Sequence, residues 1–205
     1  MKRAGGLFVA GTDTGVGKTM VTAALVAAWR AAGVEAWPVK PVQTGALRGR
    51  APDLDFVLQA TGLTVTPQLY RVLAPVRLPL PASPHLAARA AGRTLRLRTL
   101  VDAVLALQAR GGFPVVEGAG GLLVPLNARD TMLDLVQALG FPVVLVGRSG
   151  LGTLNHTLLS AHALDSADVT LAGVVLSHAG GPFTRIEKDN LATLRARLDR
   201  PVLGL

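Results

Sequence analysis

Two regimes of hydrophobic patterning alternate along the 205-residue chain. Short apolar runs rich in β-branched residues recur at 7–10, 35–39, 113–116, 142–146, 171–176 and 202–205. Their nearly continuous apolar character is that of strands buried on both faces. Between them lie stretches with helical spacing at 18–32, 97–109 and 131–139. These close at or before Gly33, Gly111 with Gly112, and Gly140, where helices commonly end in a left-handed residue. Three further helices are expected: one from APDLDF (51–56) toward Ala60 with Asp53 or Asp55 as N-cap, one from Ser83 as N-cap and Pro84 through Ala91, and one opening at GLGTLNHT (150–157). The Pro-rich stretch 64–81 reads as irregular and long enough for a functional loop. This alternation predicts repeated βα units: an α/β fold with a mostly parallel sheet and helices on both faces, three layers in all. In such sheets ligands bind beyond the carboxyl ends of the strands.

The loop after the first strand is GTDTGVGKT, residues 11–19. A strand, a Gly-rich turn and a Lys-Thr pair opening a helix are the context of a phosphate-binding loop, in which backbone N–H groups and the helix N-terminus face an anion. The spacing is a variant, because the usual pattern wants glycine at Thr12 and the glycine stands one residue earlier, at Gly11. Lys18 is placed to neutralise the β- and γ-phosphates and the Thr19 hydroxyl to hold Mg²⁺. The fold class is therefore a P-loop NTPase-type αβα sandwich.

Two other strand ends carry chemistry. In VKPVQTG (39–45), Lys40 ends an apolar strand, where a cation is costly unless it reaches an anion, and Thr44 follows. Loss of Lys40 is expected to cost turnover and to spare the fold. In VVEGAGG (115–121), Glu117 ends the third strand before a Gly-rich turn, the place of a second metal ligand in a P-loop enzyme, and Gly118, Gly120 and Gly121 permit close backbone approach to phosphates. The start of the GLGTLNHT helix offers free N–H groups to a carboxylate. His85 and His156 lack metal-ligand spacing and read as packing residues.

Composition narrows the class. One domain spanning 1–205 is expected, since no linker separates two. Half the residues are hydrophobic, yet no apolar run approaches the roughly 20 residues of a membrane span. The apolar segment after Lys2 and Arg3 is too short for a secretion signal, so the expected location is the cytoplasm, away from any membrane. The absence of cysteine excludes disulfides, thiolate metal sites and a cysteine nucleophile. The net charge of +8 comes mostly from arginines, grouped at 48 and 50, at 93, 96 and 98, and at 195, 197 and 200. With only 4% aromatic residues to interleave, these read as solvated helix faces rather than a nucleic-acid surface.

GTDTGVGKT, KPVQTG, PASPH (81–85), VEGAGG and GLGTLNH, in this order and at these intervals, resemble dethiobiotin synthetase from the N-terminus to about Ser177. The resemblance implies a homodimeric P-loop enzyme that uses ATP and Mg²⁺ to close the ureido ring of dethiobiotin from 7,8-diaminopelargonate and CO₂. It implies catalytic roles for Lys18, Lys40 and Thr14, and magnesium ligation by Thr19, Asp53 and Glu117. Nucleotide contacts would come from Gly15, Val16, Gly17, Lys18, Thr19 and Met20, from Asp53, from Glu117, Gly118, Ala119 and Gly120, and from Ser177 and His178. Thr44 would meet the substrate, and Thr153, Leu154 and Asn155 would receive its carboxylate across the dimer interface.

Two departures bear on nucleobase recognition: Ser177 and His178 stand where the family commonly has Asn-Asp, and the sequence stops at VLGL, short of a segment that frames the nucleotide in relatives. Two rival readings remain. Amide-forming synthetases of the cobyrinate type share a similar loop but carry a glutaminase domain with a cysteine. Partitioning or switch ATPases carry a lysine where this chain has Asp13, and would leave KPVQTG and VEGAGG without a purpose.

Overall fold

The computed structural model describes residues 5–178 and 180–204; Lys2, Arg3 and Leu205, the end of the last expected strand, lie outside them. The chain runs β1 (Leu7–Gly11), α1 (Lys18–Ala31), β2 (Ala36–Val39), β3 (Val42–Thr44), α2 (Pro52–Thr61), α3 (Pro67–Leu73), β4 (Val76–Leu78), α4 (Pro84–Ala90), α5 (Leu97–Gln108), β5 (Phe113–Gly121), α6 (Met132–Leu139), β6 (Val143–Arg148), α7 (Thr153–Ser166), β7 (Leu171–Ser177), α8 (Arg185–Arg197) and β8 (Val202–Gly204). Six strands form one sheet in the order β2-β5-β1-β6-β7-β8, with every pairing parallel. Pro38 is accommodated because β2 is an edge strand, where a missing donor costs least.

Strand side chains alternate between two cores. Phe8, Ala10, Val116, Leu145, Val174 and Leu176 face one way, into a cluster that also holds Leu100 and Val104 of α5, Leu135 and Val136 of α6, Leu164 of α7 and Leu194 of α8. Val9, Val115, Val146 and Val175 face the other way, against Val21, Ala23 and Val26 of α1 and Val57 of α2. The near-continuous apolar strands thus have the helix-covered faces their sequence predicts. Among the described residues no helix is long and apolar enough to cross a membrane.

Several local expectations are corrected. The stretch 64–81 is not irregular: Thr66 caps α3 through the Leu69 N–H, and β4 pairs in parallel with β3 as a second, two-stranded sheet. Both strands have three residues, too short for periodicity to reveal them. Neither Asp53 nor Asp55 caps α2. Pro52, with its fixed φ, takes the first helical position and makes Ala51 the cap. Ser83 does occupy the cap position of α4, but its hydroxyl makes no capping bond. Helix α8, which the periodicity left unmarked, begins with a Thr184–Glu187 capping box.

At the carboxyl ends of β1 and β5 the register shifts, from Val9 opposite Glu117 to Gly11 opposite Gly121. The irregularity leaves the Gly118–Gly120 backbone out of register with β1 beside the phosphate loop. Gly17 caps α1 with φ 95°, and a β-carbon there would stand 2.7 Å from the Ser177 Oγ. Gly33 also has positive φ, at +78°, but meets nothing within 4 Å. Gly33→Ala should therefore cost about 1 kcal/mol, the strain of the left-handed conformation alone, and Gly17→Ala at least about 2 kcal/mol because the β7 wall adds a clash. Urea titrations of the two variants measure the difference; equal costs would show that Ser177 gives way.

Candidate active site

The phosphate loop joins β1 to α1. Helix α1 starts on Gly17 with no side-chain cap, so its first N–H groups are left for a ligand. Lys18 folds back over the loop, where its Nζ donates to the Asp13 carbonyl at 2.7 Å. Burial, and next the nearby Lys40 charge, push its pKa down to about 8.

The centre of the site is a buried ion-pair cluster. Lys40, 4% exposed at the end of β2, places its Nζ 2.7 Å from Asp53 Oδ2 and 2.7 Å from Glu117 Oε1, and donates to the Gly118 carbonyl at 3.1 Å. Thr19 Oγ1 donates to the same Glu117 oxygen at 3.0 Å. Burial alone would lower the Lys40 pKa, but Glu117 and Asp53 outweigh it and hold the ammonium above the ordinary lysine value. The lysine therefore does not reach solvent. Its burial speaks against the expectation that its loss spares the fold, since removal would leave two carboxylates facing each other without their cation. Gln43, 4% exposed, supports the cluster: its Nε2 donates to Asp53 Oδ2 at 3.3 Å and its Oε1 accepts from the Asp53 N–H at 3.3 Å. No role was read for Gln43 in the sequence. The available signal was a lone amide in a short strand between Val42 and Thr44.

These groups line one cavity of about 760 Å³ together with Thr14, Gly15, Gly17, Lys18, Met20, Thr44, Ala119, Gly120 and Val124, and with Pro81, Ala82, Ser83 and Pro84 from the start of α4. The uncapped Ser83 hydroxyl thus belongs to the cavity wall. Thr19, Asp53 and Glu117 converge here as hard oxygen donors, two anionic and one neutral, a set that suits Mg²⁺ held partly by substrate phosphates.

Other expected residues lie elsewhere. Val16 is 1% exposed within the α1-side core, leaving only its backbone for a phosphate. Gly118 contributes its carbonyl to Lys40. Thr153, Leu154 and Asn155 are outside the cavity of their own chain. The Thr153 hydroxyl is buried against Thr157 at 3.2 Å, Leu154 packs on the core and Asn155 is exposed. Their helix begins on Gly152 at φ 93° without a side-chain cap, whereas α6 and α8 are closed by capping boxes.

A family model described as an AAA domain matches residues 5–205. The ATP-dependent dethiobiotin synthetase BioD of Anaeromyxobacter dehalogenans strain 2CP-C is 50% identical over 175 residues, covering 85% of this chain and 77% of that protein. The enzyme of the same name from Nitrosospira multiformis is 42% identical over 200 residues, covering 98% and 87%. The chain belongs to the dethiobiotin synthetase family. Among solved structures, the signal recognition particle receptor FtsY from Elizabethkingia anophelis in complex with GDP aligns with TM-score 0.62 at 15% identity, covering 100% of this chain and 58% of that one. The septum site-determining protein MinD from Pyrococcus horikoshii OT3 aligns with TM-score 0.57 at 20% identity, covering 96% and 78%. These two likenesses establish the P-loop fold.

Within the dethiobiotin synthetase frame, Ser177 and His178 sit at the end of β7 and outside the cavity. Ser177 backs Gly17. The His178 ring is occupied at both nitrogens: Nδ1 lies 2.6 Å from Glu187 Oε1 and Nε2 lies 3.1 Å from the Gly181 carbonyl, with Phe183 stacked at 4.8 Å. Glu187 also accepts from Ser149 and from Thr184, and Asn190 donates to the Ser149 carbonyl at 2.9 Å, so the ends of β6 and β7 are tied to the start of α8. Glu187, foremost through its bond from Ser149 and then those from Thr184, is depressed to about 2; His178 is raised, foremost by its bond to Glu187. A histidine raised on folding adds stability fully present below its unfolded pKa and lost as pH climbs through the folded one. His178→Gln should therefore lower Tm more at pH 6 than at pH 9, measured by thermal melts at both; an equal drop would show that the pair carries no charge-dependent stability.

Proposed function

We propose that this chain is an ATP- and Mg²⁺-dependent dethiobiotin synthetase, a single-domain ligase that closes a ureido ring on 7,8-diaminopelargonate with CO₂. The observation that carries the reading is the Lys40 cluster: a buried ammonium shared by Asp53 and Glu117, beside Thr19 and the mouth of the phosphate loop. A switch ATPase of the MinD type shares the fold. Its loop lysine is replaced here by Asp13, and nothing in its function calls for the Gln43–Thr44 wall.

In the proposed reaction one substrate amine adds to CO₂ and loses a proton, giving a carbamate. A carbamate oxygen attacks the γ-phosphorus of ATP and ADP leaves. The second amine then attacks the carbamic-phosphoric carbonyl, the C–O bond to phosphate breaks, and loss of a proton from that nitrogen gives the cyclic urea. Positioning and neutralisation of charge are the main tasks. Lys18 and the α1 N–H groups bind the terminal phosphates, and Lys40 faces the oxygen at which carbamate and γ-phosphoryl meet. Thr14 sits on the loop beside the transferred group, and Thr44 and Ser83 give hydroxyls to the carbamate side. Held by Thr19, Asp53 and Glu117, Mg²⁺ would add positive charge at the phosphates. In a homodimer the Leu154 and Asn155 N–H groups in the first turn of α7, with the Asn155 side chain, would meet the carboxylate of substrate bound in the other subunit; the exposed Asn155 and the 92% exposed Leu151 before it support that placement.

Incubation with diaminopelargonate, bicarbonate and MgATP should yield dethiobiotin by mass, and folded protein giving none overturns the reading. Lys40→Ala should lower kcat by about 10² or more, the scale for one preorganised charge-stabilising group, and lower stability by on the order of 3 kcal/mol. Near-normal turnover would remove Lys40 from the chemistry. Glu117→Gln should raise the Mg²⁺ concentration for half-maximal activity at least about tenfold. An unchanged magnesium titration would make Glu117 a support for Lys40 alone.

A further inference from the structure

Arg148 stands apart from the residues given roles above, yet it touches the phosphate loop. Strand β6 runs beside β1, with Val146 opposite Gly11 and the Thr12 N–H donating to the Val146 carbonyl at 2.9 Å. Two residues further on, at the last position of β6, the Arg148 guanidinium donates to the Thr14 carbonyl at 3.2 Å. It also lies 3.6 Å from where a β-carbon of Gly15 would be. Arg148 is exposed and makes no ion pair with any described residue.

The contact falls on the peptide between Thr14 and Gly15. No described peptide bond is cis, and in a planar trans peptide C=O and N–H point in opposite directions. With the carbonyl turned outward to Arg148, the Gly15 N–H is turned to the other side, and Thr14 and Gly15 both line the cavity. That N–H has no acceptor among the described residues, while the neighbouring Thr14 N–H is already given to Asp13 Oδ1 at 2.6 Å. A cationic donor on the carbonyl also polarises the peptide and strengthens its N–H as a donor.

We propose that Arg148 is a positioning residue of the phosphate loop: by holding the Thr14 carbonyl from outside, it aims the Gly15 N–H at a phosphate oxygen of the bound nucleotide. The proposal rests on the P-loop reading given under Proposed function. Its distinguishing property is that the device reads phosphate only. Removing it must weaken a ligand without base or ribose as much as it weakens ATP.

The test compares wild type with Arg148→Ala and Arg148→Lys by calorimetric titration with MgATP and with magnesium tripolyphosphate, alongside melts without ligand. Arg148→Ala should weaken both ligands about fivefold to tenfold, the scale of one charge-assisted hydrogen bond, with Tm unchanged. In the ring-closing assay KM for ATP should rise by the same factor, with kcat within about threefold, because the bond is made in ground and transition states alike. Arg148→Lys, which still carries a cationic donor for the carbonyl, should recover most of the loss. Unchanged binding in Arg148→Ala overturns the proposal. So does a loss confined to ATP, which would make Arg148 a reader of the nucleoside, or a loss that lysine does not repair. Failure of wild type to bind either ligand is a different result, and removes the P-loop reading together with the proposal.

Discussion

Everything in the site is arranged around one buried ammonium. An uncompensated charge at the end of a β-strand would be expelled or neutralised, so Lys40 dictates that carboxylates from two other elements come to it. Asp53 arrives from the first turn of α2 and Glu117 from the middle of β5, and Gln43 on β3 holds Asp53 from behind. Lys40, Gln43 and Asp53 come from the single stretch 40–53 and Glu117 from a distant strand, and the ion pairs fix their mutual placement beside the phosphate loop. The phosphate loop joins the same network through Thr19 on Glu117.

The parallel sheet decides why the network can exist. With β5 and β6 flanking β1, three strand ends open side by side, and each delivers a polar group at the point where apolar alternation stops: Glu117, the phosphate loop and Arg148. The register shift between β1 and β5 falls just after Glu117, so the residues from Gly118 to Gly120 are extra to the pairing with β1. Helix starts complete the picture. Those of α1 and α7 are left open on left-handed glycines, while Thr131 with Asp134 and Thr184 with Glu187 close α6 and α8.

The layers of the fold and most of the cavity were legible in the sequence because they depend on short-range signals. Apolar runs marked the six strands of the main sheet, and a Gly-rich turn after a strand marked the phosphate loop; the glycines after Glu117, expected as a turn, instead continue β5 to Gly121. Long-range and very short features were not. Strands β3 and β4 are below the length at which a period of two can be counted, and their pairing joins segments on either side of α2 and α3. Asp53 looked like a cap because aspartate near a helix start usually is one; only the tertiary approach of Lys40 shows where its carboxylate goes. Likewise His178 carries no local sign that Glu187 and the Gly181 carbonyl occupy both its nitrogens.

The composition of the cavity wall has a consequence for what can enter it, and in what company. Its ionisable side chains are two lysines, Lys18 and Lys40, and two carboxylates, Asp53 and Glu117. With all four ionised they sum to zero, so these side chains offer no surplus positive charge to draw in a bare triphosphate and no surplus negative charge to retain a lone divalent cation. A bare triphosphate would bring its full negative charge to this balanced wall, whereas a nucleotide already paired with a divalent cation brings roughly half of it. Electroneutrality of the wall thus favours a triphosphate whose charge is partly neutralised before it enters over a bare one.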